Sequence, residues 1–317
     1  MIGQRLSLRT PVLTGVFVWA MLFLGGCATR QVAMLDARWP EDVPAQVELT
    51  QVPFFPQEDF ECGPASLAMV ATTAGVQVTP EALVSQVYLP GRQGSLQPEM
   101  LAATRRQGLL AYPLKPQVED VLREVAAGHP VLVFQNLAFQ IYPVWHYAVV
   151  MGYDRARHVL LLHSGRTARM EISMFAFERT WARGQYWAML ALKPGQLPAT
   201  AEPQTFTTAA AALERVHVAA AQLAFAAAVK RWPDDRAALL GVGNTAYALG
   251  QREVAAKAFR HAVLKHADFA DGWNNLAQVL LELGRRQEAR QAISKAVTLG
   301  GARLPAYLAL QKEILSK

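Results

Sequence analysis

An internal repeat of 34 residues constrains the fold of the C-terminal part of this 317-residue chain. Residues 237–270 align with residues 271–304, and extending the register backwards indicates a degenerate first copy at 203–236, where Phe225 takes the position of Phe259. The aligned pairs are Tyr247 with Leu281, Gly250 with Gly284, Ala255 with Ala289, Phe259 with Ile293, and Ala262 with Ala296. Because one copy alone would expose its apolar side chains, the pattern predicts a stacked helical array.

The period, the Leu-Gly turn and the small-residue positions resemble the tetratricopeptide repeat, a helix–turn–helix unit. The resemblance implies an all-α domain of about three repeats over residues 203–317. Arrays of this kind present a concave groove. We therefore expect a peptide or protein partner on that groove.

The N-terminus predicts a secretory signal that ends in a lipoprotein processing site. Arg5 and Arg9 precede an apolar run over 12–24, which Gly25, Gly26 and Cys27 follow. The run is shorter than the ~20 residues that span a bilayer. Cleavage before Cys27 would leave this cysteine acylated and anchored in a membrane. Since residue 28 is not Asp, the expected location is the periplasmic face of the outer membrane of a Gram-negative bacterium.

Composition excludes several function classes. The formal charge of +6 includes the signal arginines, and the remaining basic residues are scattered, without a Lys/Arg run that carries aromatic residues, so we expect no nucleic-acid partner. The chain has no GxxxxGK[ST] phosphate loop, and we expect no cofactor and no metal. Its two cysteines are Cys27 and Cys62. If Cys27 is lipidated, the chain forms no internal disulfide and Cys62 is a free thiol.

The sequence divides into five segments. They are a signal peptide (1–26), a linker after the lipid anchor (27–46), a peptidase-like domain (47–193), a second linker (194–202) and the repeat domain (203–317). Pro, Gly and small polar residues mark the second linker.

Local patterns in residues 47–193 predict an α+β domain. The expected helices cover 62–74, 80–87, 98–107 and 118–127, and the expected strands cover 131–134, 146–153, 158–163 and 185–192. Helices gathered before an antiparallel sheet leave a cleft between the two parts. In that cleft a cysteine on a helix can meet a histidine on a strand.

Cys62 is the candidate nucleophile. Pro64 favours a helix start at this point, and backbone N–H groups there favour a thiolate, so we expect the pKa of Cys62 to be low. His146 begins a strand and is the candidate base that activates the thiol and protonates the leaving amine. Gln57 is placed to donate its amide to the developing oxyanion, together with the N–H of Cys62.

These residues resemble the bacteriocin-processing cysteine peptidases, which are papain-like. The likeness rests on Gln-x4-Cys-Gly-Pro-Ala-x-Leu, which begins at Gln57, and on His-Tyr-Ala-Val-Val-x-Gly-Tyr-Asp, which begins at His146; it covers roughly residues 47–192. Members fused to transporters cut leader peptides after a Gly-Gly pair. The resemblance implies a papain-like peptidase with Cys62 as nucleophile, His146 as base and Gln57 as oxyanion donor.

The third catalytic position departs from that family. Where the family has an Asp after the next strand, this chain has His163, Ser164 and Gly165. Either His163 or Ser164 can orient His146, although neither carries the charge of Asp. Asp154 lies in the turn at the far end of the predicted hairpin.

We therefore expect a lipid-anchored periplasmic thiol peptidase that hydrolyses a peptide bond through a Cys-His pair. One alternative is a catalytically weak or inactive papain-like scaffold that binds a peptide without cutting it. The other is a Cys-dependent acyl or amide transferase, because an amine can resolve the same thioester.

Overall fold

The computed structural model describes residues 29–57 and 61–316. The predicted signal peptide (1–26) and the predicted lipid site at Cys27 lie outside the described residues. Within those two ranges, no helix is both long and apolar enough to cross a membrane.

The N-terminal domain is a mixed α/β unit, as the sequence predicts. Its helices are α1 (Arg30–Ala37), α2 (Cys62–Thr73), α3 (Pro80–Val87), α4 (Gln97–Arg106), α5 (Val118–Ala126) and α6 (Met174–Arg183). Its main strands are β1 (Gln46–Glu48), β4 (Leu110–Pro113), β5 (Val131–Asn136), β6 (Trp145–Asp154), β7 (Val159–Ser164), β8 (Thr167–Ser173) and β9 (Ala188–Leu192). Two short strands, β2 (Tyr88–Leu89) and β3 (Gly94–Ser95), flank a 3₁₀ turn at Pro90–Arg92.

The main sheet is antiparallel and has the order β4-β9-β5-β6-β7-β8, with β1 paired to the end of β6. The long strand β6 lies at its centre and pairs with β5 on one side and β7 on the other. His146 therefore sits near the start of β6, beside the end of β7.

Successive side chains of a strand point to opposite faces of the sheet, and in the central strands both sets are apolar and buried. Leu132 and Val149 belong to a core that also contains Leu67 of α2. Val133 and Val150 belong to a second core on the opposite face, which α5 and α6 cover. Because both faces are buried, the central strands are almost continuously apolar, and the periodicity of a half-exposed strand is absent from them.

The C-terminal part is a series of antiparallel helices, which confirms the predicted helical repeat domain. They are α7 (Pro203–Glu214), α8 (Val218–Arg231), α9 (Arg236–Ala248), α10 (Arg252–Lys265), α11 (Ala270–Glu282), α12 (Arg286–Leu299) and α13 (Leu304–Ser316). Gly250 and Gly284, aligned in the repeat, follow α9 and α11 with φ of 74° and 75°. This left-handed conformation favours glycine and explains the repeated Leu-Gly turn.

The segment predicted as the second linker (194–202) is bonded to the N-terminal domain. Glu124 of α5 is fully buried, and its carboxylate accepts hydrogen bonds from the N–H and hydroxyl of Thr200 at 2.7 and 2.6 Å. Phe206 of α7 packs against Tyr112 of β4, with ring centroids 6.4 Å apart. The first repeat helices thus share the second core with the sheet.

Part of the segment predicted as the first linker (27–46) is helical. The backbone N–H groups of Gln31 and Val32, in the first turn of α1, donate to the Glu178 carboxylate of α6 at 3.0 and 2.8 Å. Val32 and Leu35 are buried in the second core. The carboxylate caps the helix N-terminus, so tertiary contacts hold a helix that carries no capping side chain of its own.

Candidate active site

Cys62 is the first residue of α2, as the position of Pro64 predicts. The next residue must be small, because a Cβ at Gly63 would lie 2.2 Å from Oγ of Ser95 in β3. The close approach brings the 90–97 loop over the start of the helix. Backbone N–H groups of Cys62, Gly63 and Tyr147 surround the thiol. Since Tyr147 directly follows His146, the same contact places the start of β6 beside the sulfur.

His146 is paired with Ser164. Nε2 of the imidazole lies 2.9 Å from Oγ of Ser164, the last residue of β7. Antiparallel pairing explains the contact, because it sets the start of one strand beside the end of its neighbour. Of the two residues that the sequence leaves open as the orienting group, the structure brings Ser164 to His146.

His163 faces the other way, which corrects its candidacy as a catalytic residue. It pairs with Val149 in the β6–β7 register and so points to the opposite face of the sheet from His146. Its Nε2 lies 3.1 Å from the Val52 carbonyl, and its Nδ1 accepts from the Arg169 N–H at 3.1 Å. Both ring nitrogens of His163 are therefore occupied by contacts with backbone groups. Asp154 ends β6, eight residues beyond His146 and roughly 26 Å away at strand rise.

Gln57 lies in the cleft with Cys62 and His146. Only 5% of it is exposed, and its N–H donates to the Gly165 carbonyl at 3.2 Å. Its side-chain Nε2 donates to Oγ of Ser66 at 3.5 Å, a long bond. An amide nitrogen carries two hydrogens, so the second is available to a substrate oxygen.

Electrostatics in the unliganded site differ from the expected thiolate. Burial raises the pKa of the Cys62 thiol, although the surrounding N–H groups act in the opposite direction. Burial also lowers the pKa of His146 to about 4. At neutral pH both groups are therefore uncharged, and His146 can accept a proton. The sequence-based expectation of a lowered Cys62 pKa was wrong because the protein removes the thiol from water.

The site opens into a cleft of about 1140 Å³. Phe134, Trp145 and Tyr147 form an aromatic wall, in which Phe134 and Trp145 stack with centroids 5.2 Å apart. Arg92 and Arg166 also line the cleft, and none of the described lining residues is acidic. Sequence reasoning missed this wall, although Trp145 lies directly before His146. The lining residues come from six separate stretches of the chain, which only the fold brings together.

Nothing in residues 29–57 and 61–316 arranges three or more His, Cys, Asp or Glu side chains to hold a metal ion. The chemistry that the described cleft can perform is that of a thiol, an imidazole, a hydroxyl and amide donors. Such a set can carry out acyl transfer through a thioester.

Comparison with known proteins identifies both parts of the chain. Residues 49–189 match the Peptidase_C39 like family, and residues 270–299 match the tetratricopeptide repeat. The chain thus carries a Peptidase_C39-like domain followed by tetratricopeptide-like helices. No curated protein matches the chain.

Two solved structures resemble the two parts. A protein from Bacillus anthracis described as a C39-like peptidase shares 18% identity, with a TM-score of 0.41, over 47% of this chain and 98% of that chain. The Sgt2 tetratricopeptide domain from Aspergillus fumigatus shares 20% identity, with a TM-score of 0.34, over 37% of this chain and 81% of that chain.

Proposed function

We propose that this protein is a lipid-anchored thiol peptidase of the periplasm whose repeat array binds a protein or peptide partner. The observation that carries the proposal is the shared cleft of Cys62, His146 and Gln57, with Ser164 at hydrogen-bond distance from Nε2 of the imidazole. These are the parts that peptide cleavage through a thioester requires.

The reaction would begin when a substrate carbonyl lies above the Cys62 sulfur. His146 accepts the thiol proton through Nδ1, because Nε2 faces Ser164. The sulfur attacks the carbonyl carbon, and the oxyanion accepts hydrogen bonds from the Cys62 N–H and the Gln57 amide. His146 then returns the proton to the leaving amine. Water resolves the thioester, whereas an amine in its place would make the same site a transferase.

The cleft favours certain substrates. Its aromatic wall suits an apolar or aromatic side chain, and Arg92 on the lining favours neutral or acidic peptides over basic ones. The likeness to peptidases that cut after Gly-Gly leads to a narrower proposal, namely that this site also cleaves after a Gly-Gly pair. Paired peptides that differ only in Gly-Gly or Ala-Ala before the cleaved bond would test it.

The location and the partner complete the proposal. Lipidation at Cys27 and residence at the periplasmic face of the outer membrane are supported by the apolar run that ends at this cysteine. The tetratricopeptide match over residues 270–299 supports protein binding by the array. Loss of palmitate labelling in Cys27→Ala would support the anchor, and an unlabelled native chain would contradict it.

Peptide hydrolysis tests the catalytic assignment. Cys62→Ala and His146→Ala should abolish cleavage with unchanged circular dichroism, and Gln57→Ala should lower turnover by about 10²–10³. His158→Ala is the matched control, since His158 lies at the opposite end of the β6–β7 hairpin and pairs with Asp36. Cleavage that survives in Cys62→Ala would refute the proposal.

A second candidate function is peptide binding without cleavage. Two observations favour it: the raised pKa of Cys62 and the neutral Ser164 where the resembled family carries an acid. A binding module would hold a cleft peptide equally well in Cys62→Ala and in the native chain, with no product by mass spectrometry. Product formation that depends on Cys62 would exclude this candidate.

A further inference from the structure

A cluster of exposed apolar residues lies at the tip of the hairpin that joins β5 to β6. We call residues 137–145 the apolar tip. Phe139, Ile141 and Tyr142 are 71%, 81% and 77% exposed. The tip also exposes Leu137, Val144 and Trp145, and it contains no charged residue. Contiguous exposed apolar surface of this kind marks a contact site, whereas single exposed apolar residues are ordinary.

The tip has a built conformation. The side-chain oxygen of Asn136 accepts hydrogen bonds from the N–H groups of Ala138 and Val144 at 3.1 and 2.9 Å. A β-bridge pairs Phe139 with Tyr142. Arg183, the last residue of α6, donates from its guanidinium to the Ala138 carbonyl at 2.7 Å. These bonds fix the backbone of the tip in a conformation that leaves its apolar side chains exposed.

The same helix links the tip to the N-terminus. Glu178 of α6 accepts the N–H groups of Gln31 and Val32 at the start of α1. Arg183 lies five residues after Glu178, about 7.5 Å along the helix. Cys27 precedes Gln31 by four residues, at most about 14 Å of chain. A lipid on Cys27 would therefore be joined, through at most about 14 Å of chain, to a residue that contacts the same helix as the tip.

Cations flank these contacts. Arg30 adjoins Gln31, and Arg179 adjoins Glu178; both arginines are exposed. Exposed arginines near the N-terminus suit the phosphate groups of a phospholipid surface, and the exposed aromatic and aliphatic side chains of the tip suit the acyl layer beneath those groups. A protein-binding groove would present a concave surface, but the tip projects with exposed side chains around its turn.

We infer that the apolar tip inserts into the interfacial layer of an anionic phospholipid membrane. The inference rests on the proposed function only for the lipid at Cys27, which would supply a first, separate attachment. A lipid on the N-terminus would tether the chain without fixing its orientation, and a second contact through the tip would fix it. Val144 and Trp145 belong both to the tip and to the cleft lining. Insertion would therefore set the mouth of the cleft near the membrane surface, within reach of membrane-held peptides.

Tryptophan placed at the tip tests this inference. The variants are Ile141→Trp and, as matched control, Leu264→Trp on α10, whose native side chains are 81% and 74% exposed. Each variant of the full mature protein is mixed with vesicles of phosphatidylethanolamine and phosphatidylglycerol that carry bromine on their acyl chains. Subtracting the emission of the unmodified protein isolates the added tryptophan.

We expect the added emission at 141 to shift to the blue and to lose most of its intensity in brominated vesicles, whereas emission at 264 should change little. Equal quenching at both positions, or none at 141, would overturn the inference. A blue shift at 141 without vesicles, rising with protein concentration, would assign the tip to a second copy of the chain. A blue shift at 141 that appears only when a substrate peptide is added would assign the apolar tip to substrate binding.

Mass spectrometry of the N-terminal peptide reports whether Cys27 is acylated, so the lipid anchor and the insertion of the apolar tip can be tested separately. Quenching at 141 in a chain whose Cys27 carries no acyl group would support the tip and refute the anchor. An acylated Cys27 with an unquenched tryptophan at 141 would support the anchor and refute the tip.

Discussion

Nε2 of His146 lies 2.9 Å from Oγ of Ser164, at the place where the resembled peptidases carry an acid. A hydroxyl can accept the Nε2–H bond and hold the ring with Nδ1 free for the thiol. It supplies no negative charge to stabilise an imidazolium. The contact therefore provides orientation but weak electrostatic support.

The first prediction concerns this orienting group. Ser164→Ala should lower turnover about tenfold, and Ser164→Asp should raise it about ten- to a hundredfold, because a carboxylate also stabilises the imidazolium. Ser173→Ala, at the end of β8, is the control. Steady-state kinetics on one peptide measure the effect. If Ser164→Asp and Ser164→Ala turn over equally slowly, position 164 serves packing alone.

The second prediction concerns pH and stability. The folded pKa of His146 is lowered to about 4 by burial, while an unfolded histidine titrates near 6.5. Between these values the unfolded chain binds more protons, so the free energy of unfolding should fall as pH drops from about 6.5 to about 4, by up to roughly 3 kcal/mol. His146→Gln should flatten that slope in urea titrations. An unchanged slope would show that His146 is not the group responsible.

The third prediction concerns the reactivity of Cys62. Because burial raises the pKa of its thiol, iodoacetamide should label the folded chain at pH 7.5 more slowly than the same chain in urea. The labelling rate should keep rising with pH beyond about 8.5, where the rate of an unperturbed thiol levels off. His146→Ala should label at a similar rate at neutral pH, since His146 is uncharged there. A rate plateau between pH 5 and pH 7 would instead reveal a preformed thiolate–imidazolium pair.

The fourth prediction concerns the junction of the two domains. Glu124→Ala should destabilise the protein by about 3 kcal/mol, because it leaves the donors of Thr200 and Ala199 without their buried acceptor. Glu119→Ala on the same helix is the control, with an effect within about 1 kcal/mol, because its ion pair with Arg123 is partly exposed. Chemical denaturation followed by circular dichroism measures both. Equal losses would mean that Glu124 does not hold the junction.

Strong local signals made much of the fold predictable. Helix α3 (Pro80–Val87) has the predicted bounds, and α2 begins at the predicted Cys62. Proline in the first turn marks both starts. The sequence-based description missed α1 and α6, which begin without a capping side-chain hydrogen bond. It also missed β1, β2, β3, β4 and β8, which are short or lie at an edge of the sheet. Their formation depends on partners elsewhere, as when Glu178 caps α1.

The sequence by itself determined the repeat, the helix that begins at Cys62 and the strand that carries His146, because these follow from local patterns and motif spacing. Tertiary structure decided that Ser164, not His163, meets His146, since strand register sends neighbouring side chains to opposite faces. It also decided the charge state of the site. A pKa depends on how much water the fold removes and on which groups it brings close, and neither is written in any local run of residues.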